Sequence, residues 1–127
     1  MARTDEKVGY SPKGKPTYTP VTAAEGVAAA FGVLEGRWKM LILFHLFGGA
    51  VLRFSELERA IPAVSQKMLI QQLRQLEADG VVERIVYPEV PPRVEYRLTP
   101  WGQALCPALD AILQWAEQRP ARDTPTA

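Results

Sequence analysis

Apolar positions first recur along this chain at a helical period. Ala24, Val27, Ala28, Phe31 and Leu34 fall three or four residues apart, the spacing that gathers side chains on one face of a helix. Thr22 is placed to cap that helix and Gly36 to stop it. A second helix is expected over residues 37–47, where Trp38, Leu41, Ile42, Leu43, Phe44 and Leu46 are apolar on nearly every side. Such a helix belongs at the centre of a core, with Trp38 inside it, and Gly48 and Gly49 end it. Residues 51–54 read as a short extended stretch. Ser55 followed by Glu58 matches a capping box and opens a short helix that stops before Pro62. A longer helix is expected over residues 65–79, closed by Gly80. Met68, Leu69, Leu73 and Leu76 gather on one side of it, and Lys67, Ile70, Gln71 and Arg74 on the other.

Beyond Gly80 the period shortens to two. Val94, Tyr96 and Leu98 alternate with Arg93, Glu95 and Arg97, which predicts a half-buried strand over 93–98 paired with another over 81–87. The turn between them is Pro88-Glu89-Val90-Pro91-Pro92, stiffened by three prolines. Thr99 then caps a last helix with Pro100 at its first position; it carries Trp101, Leu105, Leu109, Ile112, Leu113 and Trp115. Residues 1–20, with Arg3, Lys7, Lys13, Lys15 and three prolines, show no apolar period and predict a flexible arm. Residues 120–127 predict a disordered tail, leaving 21–119 as one domain. Helix, helix, short strand, helix, helix, hairpin, helix is a mainly helical α+β order. It is that of a winged helix-turn-helix with extra N- and C-terminal helices.

Composition narrows the chemistry. The chain has 127 residues, 47% apolar and 23% charged, an ordinary mixture for a folded domain. Fifteen basic against fourteen acidic residues leave a net charge of +1, so an anionic partner must be met by a local arrangement of cations. The single cysteine, Cys106, excludes an intramolecular disulfide and reads as a packing thiol. The single histidine, His45, among Phe44, Leu46 and Phe47, reads as a core or edge residue and leaves little for a metal site. The N-terminal residues lack the apolar core of a secretory signal, and the apolar stretch over 40–51 is far shorter than the roughly 20 residues a bilayer needs. A cytoplasmic protein with no membrane partner is expected. No phosphate loop, carboxylate pair or nucleophile with its base can be assembled, so neither an enzyme nor a cofactor is expected.

The two helices around Pro62 form the unit that sets a helix into a DNA major groove. Ser65, Gln66 and Lys67 place a hydroxyl, an amide and an ammonium where free backbone N–H groups also favour a phosphate. Gln71 can read adenine, Arg74 can reach a phosphate or a guanine edge, and Ile70 can touch a thymine methyl. Arg93, beside the stiff turn, is placed to enter a minor groove, the alternative being a pair with Glu89 or Glu95. Arg53, just before the first of the two helices, completes the candidate set. Residues 53–97 hold seven basic and seven acidic residues, so the reading requires Glu77, Asp79 and Glu83 to point away from the DNA. Trp101 and Trp115, about 40° off one face, belong to terminal helices more apolar than the domain needs to cover itself. A homodimer through those helices is expected, with room for a small-molecule effector between them. The alternative is a winged-helix protein-interaction module that binds no DNA.

Several stretches together resemble the HxlR-type winged-helix regulators of bacteria, relatives of the MarR group. They are Gly36-Arg37-Trp38-Lys39-Met40-Leu41-Ile42-Leu43, Leu52-Arg53-Phe54-Ser55-Glu56-Leu57, Ile61-Pro62, Ser65-Gln66-Lys67-Met68-Leu69 and Leu73-Arg74-Gln75-Leu76-Glu77-Ala78-Asp79-Gly80-Val81-Val82. The most specific is Tyr87-Pro88-Glu89-Val90-Pro91-Pro92-Arg93-Val94-Glu95-Tyr96, followed by Leu98-Thr99-Pro100-Trp101-Gly102. The resemblance covers about residues 24–117. It implies a homodimeric transcription regulator on an inverted-repeat operator, with repression favoured over activation, bound through the helix from Ser65 and the wing around Arg93. Many such proteins carry a redox-active cysteine just before the first helix. This chain has Thr19-Pro20-Val21 there and no cysteine before Cys106, and it has Ile70 where a polar residue is more usual.

Overall fold

Proline fixes its own φ near the helical value and has no N–H to satisfy, so a helix can begin on Pro20. In the computed structural model, which describes residues 17–121, α1 runs over Pro20–Leu34. The cap is therefore Thr19, three residues before the one expected. Thr19 Oγ1 accepts from the Thr22 N–H at 3.1 Å, and Thr22 Oγ1 accepts from the Thr19 N–H at 3.0 Å. The helix takes in the last residue of the expected arm; the rest of that arm up to residue 16, and the tail from 122, lie outside the described residues. Along α1, Val21, Val27 and Phe31 are exposed and Leu34 is buried. The chain divides into two units after Gly36, whose φ of 138° belongs to glycine.

The second unit carries the helix-turn-helix and the sheet. It contains α2 (Lys39–Leu46), β1 (Leu52–Arg53), α3 (Phe54–Ala60), α4 (Gln66–Ala78), β2 (Val82–Tyr87), β3 (Arg93–Leu98), α5 (Pro100–Gln103) and α6 (Leu105–Glu117). The three strands form an antiparallel sheet in the order β1-β3-β2, with Glu83 opposite Arg97, Arg84 opposite Tyr96 and Tyr87 opposite Arg93. Ile42, Leu43, Leu46, Leu57, Leu69, Leu73, Leu76, Val81 and Val82 are fully buried and make the core. The fold is the mainly helical winged helix-turn-helix expected from the order of elements.

Besides the start of α1, four boundaries or faces differ from the sequence reading, each for a local reason. First, α2 is buried on one side only: Met40, Leu41 and Phe44 are exposed and Trp38 is half-buried under the Arg37 guanidinium, 4.6 Å from its ring. Within its own unit α2 packs chiefly on α3, α4 and β3. Lys39, not Trp38, joins the buried face, its aliphatic stem lying where an apolar chain would.

Second, α3 begins two residues early. Its capping carboxylate is Glu56, which accepts from the Arg53 N–H at 2.7 Å as β1 ends, so the reach-back starts at Arg53 in place of Ser55. Third, the buried face of α4 is Leu69, Gln72, Leu73 and Leu76, with Met68 only half-buried.

Fourth, the last helix breaks at Ala104. Pro107 has no N–H for the Gln103 carbonyl and its ring would press on it, so the chain restarts as α6 with Pro107 in a first turn, where no N–H is missed. Thr99 joins that end of the chain to the sheet. Its N–H donates to the Val81 carbonyl at 3.0 Å, its hydroxyl donates to the Gly80 carbonyl at 2.7 Å, and its Oγ1 accepts from the Gly102 N–H at 3.0 Å. At Gly102 a Cβ would run into the Val81 carbonyl oxygen, so α5 approaches the residue ahead of β2 as closely as glycine allows.

Candidate nucleic-acid interface

The angle between α3 and α4 is set by apolar anchors. Leu57, Ile61 and Val64 are buried, and the Val64 N–H donates to the Ile61 carbonyl at 3.2 Å to close the turn after Pro62. Ser65 caps α4, its Oγ accepting from the Met68 N–H at 3.1 Å. The hydroxyl proton of Ser65 is left to donate outward, beside the Gln66 and Lys67 N–H groups that have no intrahelical acceptor. With Leu69, Leu73 and Leu76 turned inward, the opposite side of α4 must face solvent. Gln66, Lys67, Gln71 and Arg74 are exposed, and Lys67, Ile70, Gln71, Arg74, Gln75 and Ala78 line one open groove of about 590 Å³. Ile70 is half-buried at the edge of this groove. Neither Lys67 nor Arg74 has a carboxylate partner among the described residues, so both charges are available to a ligand. The structure thus brings six of the eight predicted residues onto one helix face and its N-terminus.

The wing arranges its charges differently from the free arginine expected at its tip. Arg93 donates through Nη2 to Glu89 Oε2 at 3.0 Å and through Nη1 to Glu95 Oε2 at 3.1 Å, and its guanidinium lies 3.9 Å from the centre of the Tyr87 ring. Pairing with both carboxylates, the alternative open at the level of sequence, is what the side chain does. Both arms of the fork are occupied and the plane is stacked, so Arg93 ties the two strands to the turn. On the same face of the hairpin, Arg97 Nε donates to Glu83 Oε1 at 3.0 Å across the strands. That hydrogen bond, and the carboxylate charge behind it, hold the Arg97 guanidinium above its ordinary pKa. Two guanidinium groups and three carboxylates are thereby paired with one another along one side of the hairpin, with one negative charge in excess.

The other side of the sheet faces α4. Strand alternation puts Val82, Arg84 and Val86 there, with Val94, Tyr96 and Leu98 opposite them. Phe54, Gln66, Ile70, Arg74, Glu77, Arg84, Val94 and Tyr96 line a cleft of about 470 Å³ between α4 and the hairpin. Arg84 was not among the residues singled out from the sequence, although its place two residues after Val82 already assigns it to this face. Glu77, expected to point away from the interface, lines the cleft, whereas Glu83 sits on the opposite face with Arg97. Arg53 is exposed and lines a second concavity of about 510 Å³ with Ser55 and the wing tip from Glu89 to Val94. Apart from the wing arginine, the predicted cations have no ion pair among the described residues: Lys67 and Arg74 lie on α4, and Arg53 lies in β1 opposite Glu95, beside the wing tip.

Comparison with known proteins bears on this geometry. The HxlR-like helix-turn-helix family matches residues 33–124. The chain is similar to the HTH-type transcriptional regulator YtcD of Bacillus subtilis strain 168, 53% identical over 89 residues, which is 70% of each chain. Among solved structures it is similar to a MarR-family transcriptional regulator from Enterococcus faecalis V583, with 40% identity and a TM-score of 0.70 over 74% of this chain and 84% of the other. It is also similar to the redox regulator HypR in its reduced form, with 42% identity and a TM-score of 0.67 over 72% of this chain and 90% of the other.

Proposed function

The chain belongs to the HxlR-like helix-turn-helix family and is a transcriptional regulator with a DNA-binding fold, not an enzyme; from that premise we propose that it acts as a homodimer on an inverted-repeat operator, with repression favoured over activation. The observation that carries this reading is the outer face of α4, where Gln66, Lys67, Gln71 and Arg74 are exposed and unpaired on a helix whose other side is locked into the core. In this reading α4 enters the major groove. Ser65, Lys67 and the first free N–H groups hold the backbone, Gln71 reads an adenine edge, Arg74 meets a phosphate or guanine, and Ile70 packs on a thymine methyl. Arg53 reaches the backbone beside the wing, and the proline tip of the wing approaches the minor groove, its shape held by Arg93.

The dimer is supported by what the terminal helices leave uncovered. Val21, Val27 and Phe31 of α1 and Ile112, Leu113 and Trp115 of α6 are all exposed, Trp115 to 74%. Two-fold pairing through such faces would place two reading helices about one duplex turn apart. Control by a cysteine ahead of the first helix has no residue to act through in this sequence, whose one thiol, Cys106, lies half-buried in α6.

Fluorescence anisotropy against duplexes from the chain's own upstream region tests the proposal. Affinity is expected to fall about a thousandfold or more between 50 and 200 mM salt if six or more phosphates are contacted. Lys67→Ala should weaken binding to every duplex and make the salt dependence shallower. Gln71→Ala should cost about 1–3 kcal/mol on the operator and relax preference at one base pair in each half-site. Affinity indifferent to both changes, or stoichiometric capture of another protein with no DNA binding at low salt, would replace this reading with that of an interaction module.

A further inference from the structure

A helix in the major groove and a hairpin at the neighbouring minor groove have one sugar-phosphate strand between them, and it must pass through the space that separates helix from hairpin. In this molecule that space is the cleft between α4 and the sheet. Its floor is apolar, made by Phe54, Ile70, Val94 and Tyr96, and its charged rim is Arg74 and Glu77 from α4 and Arg84 from β2. Arg74 and Arg84 are exposed, and neither is in an ion pair among the described residues, with Glu77 or any other carboxylate. On the reverse of the hairpin, by contrast, Arg93 and Arg97 are in ion pairs with Glu83, Glu89 and Glu95. Of the three arginines of the hairpin, Arg84 is thus the one without a carboxylate partner among the described residues, and it is on the cleft side.

We propose that Arg74 and Arg84 form a phosphate clamp for the DNA strand that crosses this cleft, making Arg84, and not the wing arginine, the hairpin's backbone contact. The inference rests on the DNA-binding reading above and deepens it. Two guanidinium groups on opposite walls can each direct N–H donors at one phosphate or at neighbouring ones. The aromatic and aliphatic floor excludes water from beneath that contact, which strengthens it. Glu77 opposes the same phosphate, so the clamp holds less tightly than its two arginines alone would allow. The clamp reads no base edge; it sets the register of α4 in the groove and acts alike on every sequence.

The test compares Arg84→Gln, Arg84→Lys and Arg97→Gln in the full chain, by fluorescence anisotropy on the operator and on an unrelated duplex across a salt series, after circular dichroism shows the same helix content. Arg97→Gln removes the same charge from the opposite face of the same hairpin. Arg84→Gln is expected to weaken binding about tenfold at 0.1 M salt on both duplexes and to reduce the salt slope by about 2 per dimer, one phosphate for each protomer. Arg84→Lys should keep most of the slope, Arg97→Gln should leave it near that of the unmodified chain, and Glu77→Gln should tighten binding severalfold. An Arg84→Gln protein with the original affinity and slope overturns the clamp while leaving DNA binding intact. So does an Arg97→Gln protein that loses as much, because net charge would then be the cause. An unmodified chain that ignores both duplexes at low salt overturns the DNA-binding reading itself, and the clamp with it.

Discussion

Gln72 lies on the buried face of α4 at 7% exposure, and its Oε1 has no hydrogen-bond partner. Its amide nitrogen donates only to Met68 Sδ at 3.7 Å, a weak acceptor. A buried carbonyl oxygen without a donor costs about 1–3 kcal/mol of desolvation, and an apolar chain of similar shape would avoid it. Gln72→Met is therefore expected to raise stability by about 1 kcal/mol in urea unfolding with DNA affinity unchanged; a lower midpoint would mean that the amide has a partner in solution. The glutamine escaped the sequence reading because a polar residue next to a polar face is read as part of it. Arg93 teaches a related lesson. Its carboxylate neighbours at positions 89 and 95 are plain in the sequence, but the choice between minor groove and carboxylate depends on the side-chain conformation, which the Tyr87 ring opposite on β2 helps to set.

The helix-turn-helix and the hairpin were legible as elements because each announces its period and its ends. Ser65 caps α4, Gly80 with φ 79° closes it, and the alternation over 93–98 places β3 at the predicted residues. The ends of α1 and α3 were less legible: several threonines, serines and glutamates near each start can cap, and the choice falls to whichever fits the preceding chain. The last helix looked continuous because its apolar residues keep one period across a break that Pro107 imposes. The short segment α5 is held by Thr99 and by the close approach of Gly102 to Val81. Gly102→Ala should force that contact apart and destabilise the chain by about 1–3 kcal/mol. Thermal unfolding should register this as a fall of about 4–8 °C for each kcal/mol, and an unchanged Tm would show that α5 can withdraw from the strand freely.

For the whole molecule, a net charge of +1 gives no general attraction to DNA, and the distribution of charge has to supply it. Glu83, Glu89 and Glu95 are paired with Arg93 and Arg97 on one face of the hairpin, while Lys67 and Arg74 of α4 and Arg84 of β2 have no carboxylate partner among the described residues. No helix among the described residues is long and apolar enough to cross a membrane. The exposed apolar side chains of α6 are where the proposed dimer is to be tested. A single charge placed among them, Leu113→Glu, is expected to convert the proposed dimer to monomers in light scattering at micromolar concentration. It should also weaken operator binding at least tenfold, since two half-sites held together bind far more tightly than one. A Leu113→Glu protein that stays dimeric would move the interface away from α6.

The order of elements, the leucines of the α4 core and the solvent-facing residues Gln66, Lys67, Gln71 and Arg74 were determined by the sequence, because hydrophobic period, caps and glycine stops act over a few residues. Only tertiary structure decided which arginines remain unpaired, that Glu77 shares a cleft with Arg84, and that α2 is covered on one side. Those outcomes depend on which faces of separate elements meet, and strand register and helix angle, not local pattern, bring such faces together.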